Sequence, residues 1–70
     1  MALAIIESYS GDKNEEGERH GKGKGELKDG SIYIGEWSHN SMDGLGEIKM
    51  LNGDRYIGSF KNNLKHGKGK

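Results

Sequence analysis

Tyr33-Ile34-Gly35-Glu36-Trp37 returns 23 residues later as Tyr56-Ile57-Gly58-Ser59-Phe60, and the reading of the chain follows from that return. The same spacing carries His20-Gly21-Lys22-Gly23 onto Asp43-Gly44-Leu45-Gly46 and then onto His66-Gly67-Lys68-Gly69, and Asp29-Gly30 onto Asn52-Gly53. A single period shared by so many positions is the mark of a repeat architecture. An eroded first copy opens at Tyr9-Ser10-Gly11, with Lys13 where Trp37 and Phe60 stand later and one extra residue between Tyr9 and His20. The periods run 7–30, 31–53 and 54–70, after an apolar segment at 1–6 whose Leu3, Ile5 and Ile6 have no place in the repeat. Those three are expected to cap the sheet, add an edge strand or meet another chain. The last period stops soon after Gly69, which reads as a piece of a longer array.

Each period holds two stretches with the two-residue alternation of a strand. Tyr33, Gly35 and Trp37 fall on one side, and Ile32, Ile34 and Glu36 on the other. In the second stretch Gly44, Gly46, Ile48 and Met50 oppose Leu45, Glu47, Lys49 and Leu51. Turn formers separate the stretches: Ser38 to Ser41 with Asp43-Gly44, and Asp29-Gly30 or Asn52-Gly53, dipeptides suited to type I′ turns. The expected fold is all-β, a series of antiparallel hairpins in one sheet. Glycine inside a strand costs stability, so its recurrence needs a reason: Gly35, Gly58, Gly44 and Gly46 leave room for the rings of Tyr33, Trp37, Tyr56 and Phe60 to lie over bare backbone.

Seventy residues bury little surface, and without cysteine the chain has neither disulfide nor thiolate to reinforce a small core. Stability is expected from association with further chain or with a partner. Eleven basic residues balance eleven acidic ones, so no overall field gathers nucleic acid, and the aromatics are used by the repeat; no nucleic-acid binding is expected. No apolar run is long enough to cross a bilayer as a helix, and residues 1–6 do not make a signal peptide, so a cytoplasmic or cytoskeletal setting is expected.

With Asp29-Gly30 and Tyr33-Ile34-Gly35-Glu36-Trp37 behind it, the His20-Gly21-Lys22-Gly23 stretch resembles the membrane occupation and recognition nexus (MORN) repeat. The second copy departs from that pattern by Asp43 for His, Asn52 for Asp and Phe60 for Trp. The resemblance implies an elongated, twisted sheet of hairpins used in scaffolding, dimerisation and docking. Within the family, Asn14-Glu15-Glu16-Gly17-Glu18-Arg19-His20-Gly21-Lys22-Gly23 is most similar to the first repeat of radial spoke head proteins of the ciliary axoneme. That implies a cilium and axonemal subunits, or a second copy of the chain, as partners.

No catalytic residue, cofactor or metal ligand stands out. His20 and His66 hold one repeat position and are expected in turns, His39 sits in a polar loop, and Gly21 to Gly25 lacks the pattern of a phosphate loop. A non-enzymatic scaffold is the expected function, with Ile32, Ile34 and Ile57 on a face that a partner covers. Charge is uneven: Arg55, Lys61, Lys65, Lys68 and Lys70 give +5 from residue 55 on, whereas residues 31–54 carry −3. The rival reading is therefore a lipid-facing adaptor beside a catalytic domain elsewhere, with Lys22, Lys24, Lys65, Lys68 and Lys70 touching anionic headgroups.

Overall fold

The computed structural model describes residues 6–69, and these form six strands: β1 (Ile6–Lys13), β2 (Arg19–Leu27), β3 (Ile32–Ser38), β4 (Ser41–Lys49), β5 (Arg55–Lys61) and β6 (Leu64–Gly69). They make one antiparallel meander in the order β1-β2-β3-β4-β5-β6, 34 × 23 × 23 Å overall, with no helix among the described residues. Leu3 and Ile5 lie outside the described residues. Ile6 opens β1, pairs with Leu27 and packs against the core.

Two turn types alternate. Within the second and third hairpins the turns are His39-Asn40 (φ +48°, +72°) and Asn62-Asn63 (φ +52°, +67°), each with both residues left-handed as a type I′ turn requires. Between hairpins, Asp29-Gly30 and Asn52-Gly53 do turn the chain, but as three-residue loops. Only the glycine is left-handed, Gly30 N–H donates to Leu27 O at 3.0 Å, and Leu27 N–H donates to Ser31 O at 2.8 Å. The Asp29 and Asn52 side chains instead accept the N–H two residues on, from Ser31 and Asp54. The first hairpin uses a three-residue turn, Glu15-Glu16-Gly17, so its extra residue lies at the tip.

His20-Gly21 and Asp43-Gly44, by contrast with Asp29-Gly30, are not in turns. Both sit inside strands as bulges, where the register slips by two residues: Gly35 faces Gly46 but Trp37 faces Met42. Gly44, at φ +104°, has its bare side toward Glu36 rather than toward the aromatics, and the Glu36 carboxylate accepts Leu45 N–H at 2.7 Å. Next to the bulges runs a feature that follows from the period: Gly11, Gly23, Gly35, Gly46, Gly58 and Gly69 pair in succession, one glycine per strand across the whole sheet.

That bare row lets a single sheet bury its own core. A Cβ on Gly46 would clash with the hydroxyl end of the Tyr33 ring and one on Gly23 with that of Tyr9, so each of these tyrosines lies over the glycine of its own hairpin. Trp37 reaches back over Gly25 of the preceding hairpin and donates its indole N–H to Gly23 O at 3.0 Å. Tyr9, Trp37, Tyr33, Phe60 and Tyr56 meet edge-to-face in one unbroken chain, with centroids 4.8–5.3 Å apart. Leu27, Met42 and Ile48 complete the buried set.

Neighbouring hairpins are also clasped at their ends. Asn40 accepts Arg19 N–H on its side chain and donates its own N–H to Arg19 O, both at 2.9 Å; Asn63 does the same to Met42, 23 residues on, at 2.8 and 3.1 Å.

Candidate interaction surface

The alternation of β3 assigns its side chains to two unlike surfaces. On the aromatic side Tyr33, Trp37 and Phe60 are buried and Tyr56 half-buried, so these rings are taken up by the fold itself. Tyr33 donates its hydroxyl to Glu36 O at 2.8 Å, and burial pushes its pKa up to about 12. Tyr9 is also raised, by burial and then by Asp12, against the opposing Arg19 guanidinium. That guanidinium lies 5.5 Å from the Trp37 ring and donates to Asn40 O at 3.1 Å. The C-terminal end of this side holds a cleft of about 490 Å³ walled by Leu27, Met42, Ile48, Phe60 and Leu64.

The opposite side, here the outer face, has no such cover. Ile34, Leu45 and Ile57 are 55, 65 and 48% exposed and ring an open depression of about 460 Å³, floored by Gly35, Gly46 and Gly58 and edged by Lys22, Glu36 and Glu47. Ile32 is half-buried beside them. Strand pairing sets this face out in cross-strand rows: Ser10-Lys24-Ile34-Glu47-Ile57 and Ser8-Glu26-Ile32-Lys49-Arg55. An ion pair joins Arg55 to Glu47 at 3.4 Å; both side chains are exposed, so it adds at most about 1 kcal/mol.

The lysines do not form one surface. Lys22 and Lys24 stand on the outer face, interleaved with Glu26, Glu36 and Glu47, whereas Lys65 pairs with Phe60 and holds its ammonium 4.9 Å from the Tyr56 ring on the aromatic side. The Lys68 side chain and Lys70 lie outside the described residues. His39 is not isolated, because the tight turn brings its ring to 5.3 Å from that of His20. Among the described residues no three His, Cys, Asp or Glu side chains converge as a metal site would require. Sequence reading passed over Leu45 and the Asn40 and Asn63 clasps. Both had a signal in the period, Leu45 at the Lys22 position and Asn63 exactly one repeat after Asn40.

A profile of the MORN repeat matches residues 15–32, 33–55 and 56–70. The chain belongs to the MORN-repeat family. No curated protein matches it. MORN repeats are in general modules that bind proteins or membrane lipids. In this MORN array, the glycine row and the ring chain use the aromatic side to hold the hairpins together, and the outer face is left exposed.

Proposed function

We propose that this chain is a non-enzymatic scaffold segment that docks other protein subunits in the cytoplasm or cytoskeleton, and that its parent protein is a radial spoke head subunit of motile cilia. The observation that carries the docking reading is the exposed Ile34, Leu45 and Ile57 patch on a sheet already closed on its other side by its own rings. The ciliary assignment rests on the stretch from Asn14 to Gly23, which forms the first turn and the opening of β2. Lipid binding as the main task draws less support, since Lys22 and Lys24 alternate with acids and Lys65 faces the other way.

The test is a pull-down with the parent protein from ciliated and non-ciliated cell extracts. Axonemal partners recovered from ciliated extract alone, and lost with Ile34→Lys, support the reading; membrane or kinase partners instead, with salt-sensitive binding to anionic vesicles, overturn it in favour of the lipid adaptor.

A further inference from the structure

The two rows of the outer face are charge-complementary to themselves about β3. In the first, Lys24 and Glu47 flank Ile34; in the second, Glu26 and Lys49 flank Ile32. A two-fold axis running roughly along β3, between two outer faces, exchanges β2 with β4 and leaves every row at its own height. Lys24 of one copy then lies over Glu47 of the other, Glu26 over Lys49, Ile34 over Ile34 and Ile32 over Ile32. The flanks are neutral to this exchange, Ile57 meeting Ser10 and Arg55 meeting Ser8. Among the charged residues of these rows only Glu36 meets a like charge, and its carboxylate is already held by Leu45 N–H, with Lys22 its cross-strand neighbour.

We infer that the outer face pairs with the outer face of a second copy of this chain, sheet against sheet, in an isologous dimer centred on Ile32 and Ile34. This rests on the docking reading of the same face and names its occupant. Four interchain charge pairs set the register, and Ile32 and Ile34, each meeting its own counterpart, supply the apolar contact. The contact is confined to two cross-strand rows, so the pair is weak and concentration-dependent.

Sedimentation of the 70-residue chain up to about 1 mM reads the outcome directly. The expected result is a shift from 7.7 kDa to twice that mass, with dissociation favoured by added salt. Glu26→Lys and Lys49→Glu, at exposed positions with no ion pair among the described residues, each weaken association about tenfold or more, and the two together restore it to within about threefold. Ile34→Lys abolishes it without loss of β-sheet circular dichroism.

A monomer at every concentration, or a dimer indifferent to these changes, overturns the pairing. The wider docking reading falls separately: if Ile34→Lys still captures every partner from cell extract, the outer face docks nothing.

Discussion

Replacing Gly46 with alanine asks whether the glycine row exists to seat the tyrosines. An added Cβ would clash with the hydroxyl, Cζ and Cε1 atoms of Tyr33. Tyr33 has no exposed surface to retreat into, being held edge-on by Trp37 and Phe60 with its hydroxyl bonded to Glu36 O. Overpacking at such a site costs about 1–3 kcal/mol. Displacing the ring adds about 1 kcal/mol for the hydroxyl bond and about 0.5–1.5 kcal/mol for each edge-to-face contact. The expected total, about 3–7 kcal/mol, reaches or exceeds the roughly 3–5 kcal/mol that a core of this size supplies, so Gly46→Ala is largely unfolded at room temperature. The control is Gly53→Ala, where nothing lies within 4 Å and only the left-handed φ of +98° is penalised, by about 1–2 kcal/mol. Urea unfolding followed by the fluorescence of the single tryptophan, Trp37, compares them, with a stabilising osmolyte added to bring the weaker variant into range. Tyr33→Leu in the Gly46→Ala background should recover part of the loss, a coupling of about 1 kcal/mol or more. If Gly46→Ala costs no more than Gly53→Ala, the row does not exist to hold rings.

Asn40→Gly keeps the left-handed turn but removes the acceptor of Arg19 N–H; it should cost about 1 kcal/mol and speed hydrogen exchange at the Arg19 amide, and unchanged protection there would remove the clasp from the account. Trp37→Phe leaves Gly23 O without the indole donor and should destabilise by about 1–3 kcal/mol in urea, a change near zero meaning that the bond contributes nothing. Tyr33 titrates near 12 in the fold against about 10 when unfolded, so the folded state holds its proton more tightly; its contribution is complete below pH about 10 and is lost as pH rises toward about 12. Tyr33→Phe should flatten that part of the stability-against-pH curve, and an unaltered slope would contradict the assignment.

The period alone makes the hairpins, the single sheet and the inward aromatics legible, because each is a consequence of two-residue alternation repeated every 23 residues. It leaves the turns ambiguous. Asp-Gly and Asn-Gly suit both a type I′ turn and a three-residue loop ending in a left-handed glycine, and the choice falls on the loop because Asp29 and Asn52 cap the next strand while His39-Asn40 and Asn62-Asn63 take the two-residue turns. Bulges are harder still to read. A residue count across Asp43-Gly44 places Gly44 with Gly46 and Ile48, but the extra residues turn its bare side toward Glu36, where it makes room for a carboxylate and not for a ring.

The lysines show what strict use of the register adds. Lys65 occupies the place of Arg19 and Met42, one or two periods earlier, and Met42 is buried on the aromatic side while Arg19 lies over Trp37. By repeat position Lys65 therefore belongs with the rings, and grouping it with Lys22 and Lys24 by charge alone merges two opposite faces. Counted by register, the basic residues stop being a patch. What remains on the outer face is an alternation of single charges around Ile32 and Ile34, and that order is what the proposed pairing with a second sheet rests on.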